Sequence, residues 1–254
     1  MNQTVLFEGA GSHGHYSIVE RSHNDRPARL LLSGKAAPQS GLALDDDPEL
    51  LFDYNQRLFE VAMSLEPASV LAIGGGAFTL PKALIERFGK MRVDVVEIDT
   101  LLPELARTHF ALPDDPRLSV ITQDGRDYID THDGCYDLIV VDAFSEYDIP
   151  RSLISAQAAA QYARLLTPGG TLVFNIISTY YGRPSLAHQL LATFEHEFTS
   201  VELYPADTHD SKHMEQNLLV VASLSAMPRL DYLQSYCVHP AISPTDDMRI
   251  FDDE

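Results

Sequence analysis

The chain has 254 residues and a formal net charge of −19 at pH 7, from 18 lysines and arginines against 37 aspartates and glutamates. Its composition, 45% hydrophobic and 22% charged, is typical of a globular protein and excludes wholesale disorder. The acid excess argues against binding a nucleic acid or an anionic membrane surface, because both require cationic groups on the protein. A small cationic substrate fits the charge better, since acidic cleft walls concentrate cations.

The sequence also bears on the cellular compartment and on whether the protein holds a metal. No apolar run reaches the roughly 18 residues that a membrane span requires. The start of the chain, Met1–Thr4, lacks the basic and apolar stretches of a secretory signal. Cys135 and Cys237 cannot make a disulfide framework, and neither lies in a zinc-ligand spacing. We therefore expect a cytoplasmic protein without a metal site.

The first 48 residues predict a small β-rich module. Short extended runs are separated by turns that contain glycine or proline, and they cover Thr4–Phe7, Tyr16–Glu20 and Ala28–Leu32. A literal G-x-G-x-x-G dinucleotide pattern spans Gly9 to Gly14. Because an extended run follows it instead of a helix, we interpret it as a hairpin turn.

Residues 49–225 predict an α/β domain, and residues 226–254 a tail. Apolar residues at helical spacing predict a first helix over Leu50–Ser64. Fully apolar strands then alternate with amphipathic helices, which indicates a parallel sheet covered on both faces. Two last strands are expected to pair antiparallel at one end of that sheet. The predicted strands are Val70–Ile73, Val93–Ile98, Leu118–Ile121, Leu138–Asp142, Thr171–Ile176, Ser200–Leu203 and Leu218–Ala222. The predicted helices are Phe78–Phe88, Leu101–Phe110, Gly125–Thr131, Leu153–Leu166 and Ser185–Phe198.

A glycine loop follows the first of these strands and predicts a nucleoside site. Gly74, Gly75 and Gly76 stand between an apolar strand and a helical run, where backbone N–H groups can approach a ligand. Glu97 ends the next strand, at a position from which a carboxylate can accept both hydroxyls of a ribose. These features alone do not separate nicotinamide cofactors from S-adenosylmethionine.

Two later acids end strands of the same sheet. Asp124, followed by Gly125, closes the third strand, where a carboxylate can accept from an adenine amino group; Asp142 closes the fourth. Ligands of open α/β sheets bind at the carboxyl ends of the strands. Each acid alone is also explained as a structural cap, but three on one rim beside a glycine loop favour a ligand site. A tight turn, Thr167–Gly170, precedes the fifth strand.

With these residues the chain resembles the spermidine synthase family within the class I S-adenosylmethionine-dependent transferases. The resemblance covers most of residues 14–223 and rests on segments that follow the family's order. They are Tyr16–Glu20, Arg29–Leu32, Gly34, Gln39-Ser40, Val70–Gly76, Val96–Asp99, Asp124-Gly125, Tyr136–Asp142 and Pro168–Gly170. The resemblance implies a class I methyltransferase-like Rossmann sheet, mostly parallel, and it also implies a homodimer.

The resemblance also implies roles for individual residues. Gln39 is expected near the sulfonium end of the donor, Glu97 at the ribose and Asp124 at the adenine. Asp142 is expected to orient and deprotonate the attacking amine. The acceptor side is expected to include four further residues, although packing or solvated charge also explains several of them: Tyr54, Glu146, Asp148 and Tyr180.

Several amine-binding groups of the family are replaced in this chain. The family's glycine loop continues with Asp-Gly, where this chain has Ala77-Phe78. Ser145 replaces the second acid of the family's acidic loop, and Tyr54 alone remains of its Tyr-His-Glu motif. Three functions stay open: transfer from an S-adenosyl donor, decarboxylated or intact, to an amine such as a polyamine; methyl transfer from S-adenosylmethionine; and nucleoside binding without catalysis.

Overall fold

The computed structural model describes residues 3–34, 38–46, 49–144, 149–181, 185–206, 213–231, 233 and 252–253. These residues form two sheets, one of four strands and one of seven, together with seven helices. The strands are β1 (Thr4–Ala10), β2 (His15–His23), β3 (Arg26–Ser33), β4 (Pro38–Ala43), β5 (Ser69–Ile73), β6 (Arg92–Glu97), β7 (Leu118–Thr122), β8 (Tyr136–Val141), β9 (Leu166–Ser178), β10 (Ser200–Pro205) and β11 (Gln216–Ser223). The helices are α1 (Asp53–Leu65), α2 (Thr79–Arg87), α3 (Leu101–His109), α4 (Gly125–Thr131), α5 (Arg151–Ile154), α6 (Ala156–Leu165) and α7 (Leu186–Phe194).

The N-terminal sheet is antiparallel throughout, in the order β1-β2-β3-β4. The dinucleotide-like glycine pattern is a hairpin turn, as predicted: Ala10 pairs with His15, and the N–H of Gly11 donates to the carbonyl of Gly14 at 2.7 Å. The sequence analysis predicted three strands here and missed β4. Proline, glutamine, serine and glycine occupy four of the six positions of β4, so the apolar alternation that signals a strand is absent.

The large sheet has the order β10-β11-β9-β8-β5-β6-β7. Neighbours from β9 to β7 run parallel, whereas β11 lies antiparallel between β9 and β10. The fold is therefore α/β with a mostly parallel sheet and an antiparallel strand near one end, as predicted. The expected pairing of the last two strands is confirmed.

Each face of the large sheet packs into its own core, because successive side chains of a buried strand point to opposite faces. Val140 belongs to the first core, which includes residues of α1, α2 and α3 and also Ile18 and Leu31 of the N-terminal sheet. Val141 belongs to the second core, which includes residues of α4 to α7. The N-terminal sheet thus covers the face of the large sheet that also carries α1.

Some predicted boundaries were wrong. The helix predicted over 153–166 is broken at Ser155, which has extended backbone and whose hydroxyl caps α6 by accepting from the N–H of Ala158. Strand β9 begins at Leu166, five residues before the prediction. The predicted turn, Thr167–Gly170, lies inside β9, at the point where the pairing of β9 with β8 is irregular. Gly169 has a φ of +85° there. Helix α1 begins three residues later than predicted, at Asp53, and α7 ends at Phe194.

No helix in the described ranges is long and apolar enough to span a membrane. The division of the chain at residues 48 and 225 stays a prediction.

Candidate active site

The glycine loop after β5 lies directly against the end of β8. Gly74 and Gly76 have φ values of +94° and +51°, the left-handed region that glycine adopts readily. A Cβ atom on Gly74 would lie 2.3 Å from the carbonyl oxygen of Asp142, so only a glycine fits there. The N–H of Gly74 also donates to the carbonyl of Val96 at 2.9 Å. The structure therefore brings the loop, β6 and Asp142 together at the carboxyl edge of the sheet.

Glu97 points into this loop from the end of β6. Its side chain is 6% exposed; Oε2 accepts from the N–H of Gly75 at 2.8 Å and Oε1 from the N–H of Asp99 at 2.9 Å. Burial raises the pKa of Glu97, although the backbone donors act in the opposite direction. A carboxylate has about four lone-pair positions, so this group can still accept from two hydroxyls of a ligand.

Asp124 lies on the same rim and caps α4. Its Oδ1 accepts from the N–H of Arg126 at 2.7 Å and from that of Asp127 at 3.1 Å. Asp124 is therefore a helix cap, which is the structural explanation that the sequence analysis gave beside the ligand role. A Cβ on the next residue, Gly125, would lie 2.7 Å from Cγ2 of Ile73, the residue before the glycine loop. The close approach keeps the start of α4 beside that loop.

Asp142 follows β8 and has an unusual electrostatic environment. Its Oδ1 accepts a hydrogen bond of 2.8 Å from Nδ2 of Asn175 on β9. Burial raises the pKa of Asp142 to about 6, while the bond from Asn175 acts to lower it. A pKa near 6 brings proton uptake by this carboxylate closer to neutral pH than in an ordinary aspartate. Such a group is suited to accept a proton near neutral pH.

Tyr54 joins the N-terminal sheet to this acid. It projects from α1, is 8% exposed, and donates from its hydroxyl to the carbonyl of Gln39 on β4 at 2.7 Å. Burial, and then the charge of Asp142, hold the pKa of Tyr54 well above its ordinary value. Two of the residues predicted from the sequence, Gln39 and Tyr54, are therefore hydrogen-bonded to each other, and Tyr54 lies within electrostatic range of Asp142.

A buried polar cluster supports the glycine loop from behind. Thr79 Oγ1 lies 3.3 Å from the hydroxyl of Ser40 and accepts from Nδ2 of Asn55 at 3.3 Å. The three side chains are 3–6% exposed and come from α2, β4 and α1. A Cβ on Gly76 would lie 3.6 Å from that of Ser40. The position of the loop is thus linked to the N-terminal sheet.

Three predicted acceptor-side residues stay predictions. Tyr180 is partly buried against the second core, against which Ala143 and Phe144, the residues after Asp142, also pack. Glu146 and Asp148 lie outside the described residues. Within the described ranges, no group of three or more His, Cys, Asp or Glu side chains is arranged to hold a metal ion.

Two residues of the site were missed by the sequence analysis. Asn175 is the polar residue inside the apolar run of β9, and this contrast was a usable signal for a buried functional group. Asp99 is fully buried; its Oδ1 accepts from the N–H of Leu101, and its Oδ2 accepts from the N–H of His13 and the hydroxyl of Tyr16. Its role had no local signal, because two of these partners lie more than 80 positions away in the chain.

Comparison with known proteins identifies the family. A family model described as the spermine/spermidine synthase domain matches residues 51–209, well over half of the chain. The matched range contains the glycine loop and the three rim acids Glu97, Asp124 and Asp142. The chain belongs to the spermine/spermidine synthase family.

Several curated relatives of this spermine/spermidine synthase family member are named as polyamine aminopropyltransferases, and one is named as a human eEF1A lysine and N-terminal methyltransferase, 29% identical over 61% of this chain and 22% of its own length. The probable enzyme of Bifidobacterium longum is 30% identical over 162 residues, which is 64% of this chain and 36% of that protein. The enzyme of Vibrio vulnificus is 26% identical over 74% of this chain and 61% of its own length. The enzyme of Chromobacterium violaceum is 30% identical over 71% of this chain and 69% of its own length. The matches to the first two relatives thus span about a third and about three fifths of their lengths.

Solved structures show the fold of the family. A probable spermidine synthase from Corynebacterium glutamicum matches with a TM-score of 0.76 and 20% identity, over 88% of this chain and 82% of that one. Human methyltransferase-like protein 13 in complex with SAH matches with a TM-score of 0.53 and 24% identity, over 68% of this chain and 80% of that one. The large sheet is therefore the class I methyltransferase-like sheet that the resemblance implied.

Where the spermidine synthase pattern has Asp-Gly, this family member buries two apolar residues. Ala77 is 2% exposed and Phe78 is fully buried. Phe78 has a φ of +58°, a conformation that costs a side-chain-bearing residue about 1–2 kcal/mol. A Cβ on Gly75 would lie 2.5 Å from the Phe78 ring. The ring thus fills the space beneath the glycine loop, and the strained backbone is offset by the burial of an aromatic side chain.

Proposed function

We propose that this protein transfers an alkyl group, expected to be aminopropyl, from an S-adenosyl donor to a small amine. The observation that carries the proposal is the position of Asp142, whose backbone carbonyl lies directly against the glycine loop and whose carboxylate has a pKa raised by burial. A proton acceptor and a nucleoside-type loop at one strand edge suit transfer from a sulfonium to nitrogen. The names of the curated relatives support the same reaction class.

The proposed donor site uses the rim from β5 to β7. Gly74–Gly76 provide the close backbone approach, and Glu97 accepts from the ribose hydroxyls. Asp124 and Gly125 face the adenine, and Gln39 lies toward the sulfonium. The geometry of Glu97 supports this assignment, because its two oxygens are fixed by the N–H groups of Gly75 and Asp99 before any ligand arrives.

The proposed chemistry is an in-line displacement. The amine lone pair forms a bond to the carbon attached to sulfur, and the C–S bond breaks with its electron pair moving to sulfur, which leaves a neutral thioether. The surplus proton on nitrogen passes to the Asp142 carboxylate. Positioning of the two reactants supplies the larger part of the rate enhancement, of order 7–11 kcal/mol in well-oriented systems. Asp142 stabilises the developing ammonium.

The proposed acceptor is a small cation, such as a polyamine. The net charge of −19 favours its approach, and Tyr54 beside Asp142 provides a wall of the acceptor site. Acceptor roles for Tyr180, Glu146 and Asp148, a homodimeric state and a cytoplasmic location all remain proposals. Light scattering of the purified chain tests the homodimer.

Product analysis tests the proposed function. The protein is incubated with decarboxylated or intact S-adenosylmethionine and a panel of amines, and the nucleoside product is measured by mass spectrometry. Methylthioadenosine together with an aminopropylated amine is the expected result. S-adenosylhomocysteine with a methylated amine would replace the proposal with methyl transfer. Calorimetric binding of methylthioadenosine without any turnover would indicate a nucleoside-binding protein.

A further inference from the structure

Asp253 is distant in the chain from α4, α5 and α6 but contacts the corner where these helices meet. Its Oδ1 accepts from Nη1 of Arg126 on α4 and from the hydroxyl of Ser155, each at 2.6 Å. Its N–H donates to Oε1 of Gln157 on α6 at 3.0 Å. Ser155 is fully buried and also caps α6, so the carboxylate reaches a hydroxyl that is shielded from solvent. We call these four residues the Asp253 cluster.

Arg126 extends the Asp253 cluster to α5. Its Nη1 also donates to the carbonyl of Ser152 on α5 at 3.1 Å, and its Nε donates to the carboxylate of Asp130, one turn further along α4, at 2.9 Å. The Arg126 side chain is only 17% exposed. Because a guanidinium holds its donors in a fixed planar fork, several partners together determine its orientation. One side chain thus joins α4, α5 and Asp253.

The backbone of Arg126 belongs to the rim proposed to bind the donor. The N–H groups of residues 126–128 all donate to Asp124, two of them to Oδ1 and the third to its carbonyl, at 2.7, 3.1 and 3.0 Å. A Cβ on Gly125 would lie 3.4 Å from Cδ2 of Leu153 on α5, so this glycine lies close against α5. The positions of Asp124 and Gly125 therefore depend on how α4 and α5 are held together.

The charges of α4 explain why Arg126 is needed for this contact. Residues 124–131 contain a single cation, Arg126, and three aspartates, at positions 124, 127 and 130. Like charges repel a further carboxylate at this corner unless a cation lies beside it. The hydrogen bond from Arg126 is the main cause that lowers the pKa of Asp253, against a smaller effect of burial. Asp253 is therefore charged at pH 7, and Arg126 offsets the repulsion.

We propose that Asp253 is a positioning residue, which through Arg126 fixes the start of α4 and with it Asp124 and Gly125 on the donor rim. The effect on the donor rests on the proposed function, whereas the effect on α4 does not. Because Asp142 follows a different strand, β8, loss of the contact should weaken donor binding and leave the chemical step unchanged. A variant that loses such uniform binding has a raised KM and an unchanged kcat.

Hydrogen exchange tests the effect on α4. The exchange rates of the amides of residues 126–128 are measured by NMR in the full chain without a ligand, because these amides donate to Asp124. Asp253→Asn is expected to raise the rates about two- to fivefold, the range of a partly exposed ion pair. Asp252→Asn is the matched control, since it removes the same charge from an exposed residue one position away. It should leave the rates unchanged, and equal rates in the two variants would overturn the proposal.

Donor-side measurements test the effect on the rim. Asp253→Asn is expected to weaken calorimetric binding of methylthioadenosine about two- to fivefold and to raise the donor KM by a similar factor, with kcat unchanged. Asp253→Glu keeps the charge and should restore part of the affinity, and Asp252→Asn should behave like the unaltered chain. A fall in kcat with an unchanged donor KM would overturn the proposal.

A double variant separates the ion pair from the stability of α4. Arg126→Gln leaves the Asp253 carboxylate beside the aspartates of α4 without a cation, so it should weaken methylthioadenosine binding more than Asp253→Asn does. Adding Asp253→Asn to Arg126→Gln is then expected to recover part of this loss, since two residues in contact are not additive. Melting curves confirm that each variant is folded. Additive losses in the double variant would show that the two residues act separately and would overturn the proposal.

Failure of this proposal and failure of the proposed function give different results. If the unaltered chain does not bind methylthioadenosine, the proposed function is contradicted, and exchange at residues 126–128 still decides whether Asp253 fixes α4. If the chain binds methylthioadenosine and Asp253→Asn accelerates exchange without weakening that binding, the link from α4 to the donor is wrong and the proposed function stands.

Discussion

At the scale of single residues, Asp142 is subject to two opposing influences. Burial favours its neutral form, and the hydrogen bond from Asn175 favours its charged form. Asn175 is 1% exposed, and its Oδ1 has no hydrogen-bond partner among the described residues. A buried amide that is only half satisfied is costly unless a ligand completes it. The pair therefore contributes less to stability than a fully hydrogen-bonded pair would.

The first prediction concerns Asp142→Asn. We expect loss of turnover with nearly unchanged affinity for methylthioadenosine, because the role proposed for this acid is toward the attacking amine and not toward the nucleoside. We also expect a gain in stability at about pH 7.5, of at most ~3 kcal/mol, because the buried charge is removed. A carboxyl with a raised folded pKa stabilises the fold below its unfolded pKa and loses that contribution as pH rises through about 6. Urea unfolding at about pH 7.5 and about pH 4 measures it, and most of the gain should be absent at the lower pH.

Asp137→Asn is the control with the opposite sign. Hydrogen bonds from Thr167, Ser69 and Ala68 outweigh burial and hold the pKa of Asp137 below its ordinary value. This carboxylate stabilises the fold above its unfolded pKa, so its removal should destabilise the protein at pH 7. If both variants shift the free energy of unfolding in the same direction, the environment assigned to Asp142 is wrong.

The second prediction concerns Asn175→Ala. The hydrogen bond from Asn175 acts to lower the pKa of Asp142, so its loss should raise that pKa above about 6. The acid limb of the pH–rate profile is then expected to move to higher pH, while the alkaline limb stays in place. Asn175→Gln keeps an amide and should restore part of the shift. A profile that falls in amplitude without moving would mean that Asn175 is merely structural.

At the scale of elements, the glycine loop depends on two constraints, a positive φ and the lack of space for a Cβ atom. Comparison of three glycines distinguishes the effects of these constraints. Gly74 combines a φ of +94° with backbone atoms of Asp142 in the way of a Cβ. Gly169 has a φ of +85° and open space, and Gly89 has open space and an ordinary φ. Alanine at Gly169 is expected to lower the free energy of unfolding by about 1–2 kcal/mol. Alanine at Gly89 is expected to change it by no more than about 0.5 kcal/mol.

The third prediction follows for Gly74→Ala. The free energy of unfolding should fall by more than at Gly169, because the end of β8 has to move. Displacement of Asp142 by about 1 Å should lower kcat about a hundredfold. Denaturant unfolding and single-turnover rates of the three variants test the series. Equal losses at Gly74 and Gly169 would show that the contact with Asp142 has no consequence.

The same elements show how far sequence reasoning extends. The parallel strands were predictable because each contains a short stretch rich in apolar residues between helical segments. Gly74 and Glu97 were predictable because they lie at the carboxyl ends of two of these strands. The break at Ser155 was not, since the helical periodicity continues across it and a single hydroxyl cap determines it. Strand β4 was hidden by its polar composition, and its place depends on pairing with β3. Contacts between distant segments, such as Asn175 with Asp142, leave little local signal.

At the scale of the whole molecule, the N-terminal sheet is fixed to the large domain by a few polar anchors. Arg29 on β3 donates to Glu20 and to the carbonyl of His109 at the end of α3. Asp99 accepts hydrogen bonds from two residues of the β1–β2 hairpin, the N–H of His13 and the hydroxyl of Tyr16. Since Asp99 also donates its N–H to Glu97, hydrogen bonds link the hairpin to the carboxylate proposed to bind the donor.

The last prediction tests that link with Asp99→Asn. The hydrogen bonds from Leu101, His13 and Tyr16 outweigh burial and hold the pKa of Asp99 below its ordinary value, so the carboxylate is charged. An amide in its place cannot accept at both positions, and the loss of a charge-assisted hydrogen bond costs about 1.5–3 kcal/mol. We expect faster hydrogen exchange in residues 8–18 and weaker calorimetric binding of methylthioadenosine. Asp137→Asn is expected to lower stability at the amino-terminal ends of β5 and β8, and it should leave exchange in the hairpin unchanged. Equal protection losses in both variants would mean that Asp99 contributes only general stability and does not couple the two sheets.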